Sequence, residues 1–245
     1  MNSYLALPLF FLIVLLLILL IYRRRRTPAL RSIAAFDRLP HQMSRAAESG
    51  QSLHFSLGTG GVGGSDTVAS LVGLSTLAYL AEQGVATGTP PLVTVSNTAL
   101  LPLAQNVLRQ AYIQRGRRDD FSWGQVRLIS PAPMAYALGT MDILSRESVL
   151  ANVMLGAFGP EVALIAHAGA AAGLMQIAGS DDPQALAVLY ASDDTLVVGE
   201  ELYATDAYLD RVPAKLLSLV AEDVVRLVLI LYIIIFAALR MAGVP

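Results

Sequence analysis

The sequence contains no cysteine among its 245 residues. This absence excludes disulfide bridges, thiolate catalysis and zinc sites built from cysteine. Charge is also scarce, since charged residues make up only 15% of the chain and the formal net charge is −2. A chain so close to neutrality offers no case for nucleic-acid binding, so we expect no nucleic-acid partner.

Residue sets that support common hydrolytic or metal-dependent catalysis are missing as well. The three histidines, His41, His54 and His167, stand apart from one another, and no His-x-x-x-His or carboxylate cluster has metal-site spacing. No Gly-x-Ser-x-Gly motif marks a nucleophilic serine. His167 lies in an apolar run, which favours a buried histidine over a catalytic base. The sequence predicts no catalytic residue, no metal site and no cofactor; it leaves enzymatic activity open but favours a protein without one.

Apolar residues are in excess, at 55% of the chain, and much of that excess lies at the two ends. Tyr4–Tyr22 runs for nineteen residues without a charge, long enough for a transmembrane helix, and Arg23–Arg26 follows it. A cleaved signal peptide is the alternative, but its basic residues would precede the apolar run. We therefore expect a retained anchor whose four arginines lie on the cytoplasmic side.

A second apolar run, Leu227–Leu239, follows Pro213 without a helix breaker between them. It predicts a stalk and a C-terminal transmembrane helix over residues 213–245, with Arg240 reaching the interface. The alternative is a buried helix of a soluble domain. Two spans with the arginines inside place the central domain in the cytoplasm and both termini outside.

Apolar strands alternate with helices between the two ends. This alternation predicts an α/β fold with a doubly wound, mostly parallel, Rossmann-like sheet between the two transmembrane helices. The predicted domains are an anchor (1–26), a linker and helix (27–50), a cytoplasmic α/β domain (51–212) and the stalk with its span (213–245). The predicted strands are Leu53–Leu57, Leu92–Val95, Val126–Ile129, Val149–Leu155, Leu174–Ala178 and Thr195–Val198.

The segment Val149–Gly179 leaves two alternatives open. Its only charged residue is Glu161, so the segment could be a third membrane span. Its glycines and Pro160, however, divide it into apolar pieces that are too short to cross a membrane. Residues 161–171 are predicted to form a helix that begins near Pro160 and ends at Gly173. They could instead pair as a strand.

A glycine-rich turn, Gly58–Gly64, joins the first strand to a helix that begins near Ser65 and Asp66. Glycine amides at a helix N-terminus favour anions, because the helix dipole leaves partial positive charge there. The turn matches the Gly-x-Gly-x-x-Gly pattern of dinucleotide-binding sites, but the acidic residue that should end the second strand is missing. A phosphate-binding P-loop would require a lysine after the glycines, and none follows them. The turn therefore predicts a site for a small anionic metabolite or a nucleotide, or else a close-packed turn capped by Ser65 or Asp66.

Ligands of doubly wound sheets bind beyond the carboxyl ends of the strands. Small or polar residues follow several predicted strands at that edge, although the same residue types are ordinary in turns and caps. The candidate ligand-binding residues are Gly58, Thr59, Gly60, Gly61, Gly63, Ser65, Asp66, Ser96, Asn97, Ser130 and Asp181.

The predicted helix Asp66–Gln83 is apolar around most of its circumference, through residues such as Val68, Leu71, Leu74 and Leu77. A helix that is apolar all round is expected to be buried all round. The sheet can cover one side only, so either another copy of the chain or the helix Leu30–Ser49 covers the other. The first alternative predicts a homo-oligomer.

The string Ser56–Ser65, the strand Leu92–Val95 after a double proline, and the C-terminal span resemble an uncharacterised family of bacterial membrane-anchored proteins. The resemblance extends over most of the chain, and the glycine string is its most distinctive part. It implies a location in a bacterial inner membrane and a layout of anchor plus domain. The family has no established activity, so the resemblance implies no catalytic residue.

Two functions are compatible with these features. The preferred prediction is a self-assembling scaffold or interaction module on the cytoplasmic face of the membrane, with itself or other membrane proteins as partners. The alternative is a membrane-tethered binder or enzyme for a small anionic metabolite or nucleotide at the glycine loop. Transport is disfavoured, because two spans with only Arg240 at membrane depth form no polar pathway.

Overall fold

A computed structural model describes residues 31–192, 195–210, 216, 219, 222–230 and 232–234 of the chain. Within it, Ser32–Leu209 forms one compact unit. The predicted span Tyr4–Tyr22 lies outside the described residues, and so does part of Leu227–Leu239.

Helices and strands alternate along the compact unit, as the sequence predicts. The helices are α1 (Ala34–Ser49), α2 (Thr67–Thr87), α3 (Leu100–Gln114), α4 (Pro133–Arg146), α5 (Val162–Ala171), α6 (Pro183–Ser192) and α7 (Thr205–Asp210). The strands are β1 (Ser52–Gly58), β2 (Leu92–Val95), β3 (Val126–Leu128), β4 (Val149–Ala157), β5 (Met175–Ser180) and β6 (Leu196–Val198).

The six strands form one sheet in the order β3-β2-β1-β4-β5-β6. Every neighbouring pair is parallel. This confirms the Rossmann-like α/β fold. The chain starts in the middle of the sheet, winds outward through β3, then returns to pair β4 with β1. Where the winding direction reverses, the loops after β1 and β4 diverge and leave a crevice, which is the usual ligand position in such sheets.

Helices cover both faces of the sheet, and each face has its own apolar cluster. On one face, side chains of α1, α2 and α3 pack on Phe55, Leu57 and Val153. On the other, side chains of α4, α5 and α6 pack on Met154 and Ala178. Both faces of the central strands are therefore buried, including the polar side chains of His54, Ser56 and Asn152.

Helix α2 is covered within the chain over most of its circumference. It packs against the sheet, against α3 and against α1. Leu74 and Leu77 are therefore buried, whereas Val68 and Leu71 near the start of the helix stay exposed. The coverage by α1 agrees with one of the two alternatives drawn from the apolar circumference.

The structure decides the open questions about Val149–Gly179. The segment forms β4, α5 and β5, all inside the compact unit, so it is not a third span. Residues 162–171 are helical and do not pair as a strand. The expectation for His167 was wrong: it is exposed, because it lies on the outer side of α5 while Ile165 and Ala166 face the core.

One helix among the described residues, α2, is long and apolar enough to cross a membrane, and more than half of it is buried inside the structure. That burial is typical of a core helix. Residues 222–230 and 232–234 are also helical. They carry the exposed apolar side chains of Leu227, Leu229, Ile230, Tyr232, Ile233 and Ile234.

A row of buried polar side chains crosses the centre of the sheet. Asn152 Nδ2 donates to Gln176 Oε1 at 3.2 Å, and Gln176 Nε2 donates to the carbonyl of Ala166 at 2.9 Å. Asn152 Oδ1 therefore accepts from His54 Nδ1 at 2.7 Å, which leaves His54 Nε2 to accept from Thr94 Oγ1 at 3.1 Å. In this arrangement His54 is neutral, and burial lowers its pKa from 6.5 to about 4.

The row continues toward the carboxyl end of β1 through Tyr136 of α4. The Tyr136 hydroxyl lies 2.6 Å from Ser56 Oγ and 3.0 Å from Thr94 Oγ1. Burial raises the pKa of Tyr136, so the hydroxyl stays protonated. These contacts fasten α4 to β1 and β2.

Candidate functional site

A cleft of about 470 Å³ lies at the carboxyl ends of β1, β4 and β5, where the strand order reverses. Its size is in the range of small-molecule sites. It is lined by Thr59, Asp66, Pro133, Ala157, Phe158, Gly159, Glu161, Asp181, Asp182 and Pro183. All of these residues belong to the compact unit.

The glycine loop forms one wall of the cleft and is fastened to the end of β4. The amides of Thr59 and Gly60 donate to the carbonyl of Ala157 at 2.8 and 3.3 Å. This close approach requires glycine at position 58, because a Cβ there would lie 2.1 Å from that carbonyl oxygen and φ is +83°. The two amides at the start of the loop are thus used inside the chain.

The rest of the loop is closed in the same way. Thr67 Oγ1 accepts from the amides of Gly63 and Gly64 at 2.9 and 3.0 Å. A Cβ on Gly61 would lie 2.2 Å from Asn97 Nδ2, so the Asn97 side chain covers that part of the backbone. Four loop amides therefore have partners in the chain, and the loop does not present the open nest of amides that an anion site needs.

Glu161, which follows β4 and precedes α5, lines the cleft and is only 8% exposed. Its Oε1 accepts from Thr59 Oγ1 and from the Gly159 amide, both at 2.9 Å. The first hydrogen bond joins the loop after β1 to the loop after β4 across the crevice. Such charge-assisted hydrogen bonds fix the carboxylate in one orientation.

Three more carboxylates line the cleft, and each is held through one oxygen. Asp66 Oδ1 accepts from Ser65 Oγ at 2.7 Å. Asp182 Oδ1 caps α6 by accepting from the amides of residues 184 and 185 at 2.6 and 3.1 Å. Asp181 Oδ2 accepts from the Tyr203 hydroxyl at 2.6 Å, and this contact raises the pKa of Tyr203 to about 12.

The cleft is strongly acidic as a result. Four carboxylates line it, and none of its lining residues, all of which the structure describes, is lysine, arginine or histidine. Asp66 stands at the N-terminus of α2, Glu161 at that of α5 and Asp182 at that of α6. The chain thus places its own negative charge at helix ends that would otherwise attract an anion.

Of the candidate residues from the sequence, Thr59, Asp66 and Asp181 line the cleft. Gly58 and Gly60 shape its wall from behind, and Ser65 holds Asp66. The other five candidates lie outside the cleft. Gly61 and Gly63 belong to the closed part of the loop. Ser96 Oγ donates to the Ser130 carbonyl at 2.7 Å, and Asn97 Oδ1 accepts from the amide of Ala99 in a turn.

Sequence reasoning missed Glu161, Gly159 and Asp182 as site residues. The sequence pattern indicated Glu161 only as the start of a helix, and Asp182 was not among the candidate residues. Both are acidic residues in the short segments between a strand and the next helix, a signal that was available, but their place beside the glycine loop depends on β4 pairing with β1. Among the described residues, no group of three or more His, Cys, Asp or Glu could hold a metal ion.

A family model described as "Domain of unknown function (DUF6754)" matches residues 1–244. The match covers nearly the whole chain, which agrees with the uncharacterised family that the sequence resembles. Searches of curated proteins and of solved structures found no match. That description indicates no activity.

Proposed function

We propose that this chain, which belongs to the DUF6754 family, is a membrane-anchored protein whose Rossmann-like domain binds a small ligand in the cleft. The observation that carries the proposal is the preformed site at the switch point. Glu161 is buried there and held in place across the crevice by Thr59. A scaffold would need no oriented, buried carboxylate in an open cleft.

The position of the cleft supports the same function. It lies between the diverging loops after β1 and β4, where open α/β sheets bind their ligands. The glycine loop contributes by bringing Thr59 within hydrogen-bond distance of Glu161, rather than by exposing amides. An anionic ligand fits this site poorly, because it would meet four carboxylates and no basic side chain among the described lining residues.

Thr59→Val tests binding at the cleft, because it keeps the side-chain shape and removes the hydroxyl that holds Glu161. We expect at least one of glucose, AMP, inorganic phosphate and spermidine to raise the melting temperature of the purified chain. The valine variant should lower the affinity for that compound by about tenfold, the effect of one hydrogen bond to a charged group. Thr59→Ser, which keeps the hydroxyl, is the matched control. Equal affinities in the two variants, or no response to any compound, would argue against a ligand at this position.

The membrane anchor is part of the proposal. It is supported by the uncharged run Tyr4–Tyr22 and by the exposed apolar side chains of the C-terminal helix. Arginines after the first run and before the second favour a cytoplasmic domain with both termini outside, in a bacterial inner membrane. A reporter that is active only outside the cytoplasm, fused after Pro245, should be active. Activity of a cytoplasmic reporter at the same site would exclude this orientation.

A second candidate function, the self-assembling scaffold, is favoured by one observation. Val68 and Leu71 on α2 are 56% and 50% exposed, one helical turn apart. If they form a contact between copies, Val68→Glu or Leu71→Glu should dissociate an oligomer that is seen by sizing in mild detergent. Leu138→Glu, at an equally exposed leucine of α4 (54% exposed), is the control and should leave the assembly intact. A wild-type chain that sizes as a monomer would remove this candidate.

A further inference from the structure

The free oxygen of Glu161 indicates the chemistry of the ligand. Oε1 of this carboxylate has two donors, whereas Oε2 has no hydrogen-bond partner within the described part of the chain. The residue is 8% exposed and lines the cleft. Oε2 is not among the side-chain atoms that are sealed from solvent without a partner, so it is open to a donor that enters the cleft.

The same feature recurs in the other three carboxylates of the cleft. Asp66, Asp181 and Asp182 each use one oxygen on a donor of the chain, and no described residue donates to the other oxygen. The donors fix the side chains without neutralising them, since they are hydroxyl groups and backbone amides. Four acceptor oxygens and four negative charges therefore remain for whatever enters the cleft.

We propose that the cleft binds an organic cation, through ammonium or guanidinium groups that donate to Glu161 Oε2 and to the aspartates around it. This inference rests on the proposed function and specifies its ligand class. Ammonium and guanidinium groups carry donors only, so they match a site that offers acceptors only. The carboxylates at the starts of α2, α5 and α6 exclude an anion by repulsion.

The walls of the cleft fit the carbon chain of such a cation. Pro133 and Pro183 line the cleft with exposed apolar rings, and the side chain of Ala157 lies between the loops. Methylene groups can pack on these surfaces while the charged ends reach the carboxylates. The volume of about 470 Å³ accommodates a molecule of several carbon and nitrogen atoms rather than a bare ion.

Titration calorimetry with spermidine and agmatine tests the proposal on the full chain in detergent. We expect at least one of the two to bind, with an affinity that Glu161→Gln lowers about tenfold or more. Glutamine retains an acceptor for Thr59 and Gly159, so the loop contacts persist. Glu48→Gln is the matched control, because Glu48 is an exposed acid on α1 outside the cleft, and its removal should leave the affinity unchanged.

Two further variants keep the test decisive if Glu161→Gln folds poorly. Asp181→Asn removes one charge at the rim and retains an acceptor for Tyr203, so it should weaken binding without loss of fold. Gly159→Ala removes no charge, but its Cβ would lie 2.6 Å from Glu161 Oε2 and must displace that oxygen. A weaker affinity in Gly159→Ala shows that the position of the carboxylate matters and not only the net charge.

The outcomes separate this inference from the proposed function. If neither cation binds, or if both bind equally to Glu161→Gln and Glu48→Gln, the cation class is overturned. If glucose or AMP then binds and loses affinity in Thr59→Val, the cleft is still a ligand site, and only the class was wrong. If none of these compounds binds, both proposals fail.

Discussion

Replacing Gly58 by alanine is expected to lower the free energy of unfolding by about 3 kcal/mol or more. Two costs combine at this position. The backbone has φ of +83°, which a residue with a Cβ adopts only with strain, and the Cβ would lie 2.1 Å from the carbonyl oxygen of Ala157. The loops after β1 and β4 would have to separate, which would also disturb the hydrogen bond from Thr59 to Glu161.

Gly88→Ala is the matched control for this prediction. Gly88 ends α2 with a nearly identical φ of +81°, but no atom lies within 4 Å of the Cβ position. It should therefore show the backbone strain alone, about 1 kcal/mol. Urea denaturation followed by circular dichroism measures both variants. Equal losses at Gly58 and Gly88 would mean that the β1 and β4 loops do not meet as closely as the structure has them.

Acidification is expected to remove about 3 kcal/mol of stability through His54 alone. Burial lowers the pKa of His54 from 6.5 to about 4 in the folded chain. Between these values the unfolded chain binds a proton that the folded chain does not, so unfolding becomes more favourable as the pH falls. The contribution of neutral His54 is complete above pH 6.5 and is lost progressively down to pH 4.

His54→Gln should flatten the stability profile between pH 6.5 and 4, since glutamine does not titrate there. The variant will be less stable at neutral pH, because the contacts of His54 with Asn152 and Thr94 are disturbed. His167→Gln, at an exposed histidine, is the control and should keep the acid loss of the wild-type chain. Denaturation midpoints at pH 7, 5.5 and 4.5 are the measurement. A profile that is unchanged by His54→Gln would contradict the neutral, buried histidine.

The strands could be predicted from the sequence because local patterns define them. Leu92–Val95 was predicted with the bounds that the structure gives, and most other elements differ by a few residues at their ends. The order of the strands could not be predicted, because pairing of β1 with β4 joins residues about a hundred positions apart and depends on the packing of the whole domain.

Only the parts of the candidate site that depend on local patterns could be predicted from the sequence. The glycines predicted a tight turn or an anion site after β1, and Thr59, Asp66 and Asp181 line the cleft. The sequence could not show whether the loop amides are free to bind a ligand. Their acceptors, Ala157 and Thr67, are set by tertiary contacts and by the local geometry of the loop. Glu161 lies at the cleft because β4 pairs with β1, and this pairing could not be predicted from the sequence.

The polar row through His54 illustrates a further limit. Its members are spread over four strands and one helix, and each looks like an isolated polar residue in an apolar run. Only the register, which aligns His54 with Asn152 and Asn152 with Gln176, shows that they satisfy one another. Such a row is compatible with a buried core because every member has a partner.

The small molecules released from the purified chain provide the most direct test of a ligand in the cleft. Wild-type protein and Glu161→Gln, purified in parallel without added ligand, are denatured and their released compounds are compared by mass spectrometry. We expect one compound with ammonium or guanidinium groups in near-stoichiometric amount from the wild type, and at least tenfold less from Glu161→Gln. Equal amounts from both proteins, or no compound from the wild type that the variant lacks, would contradict an organic cation held by Glu161.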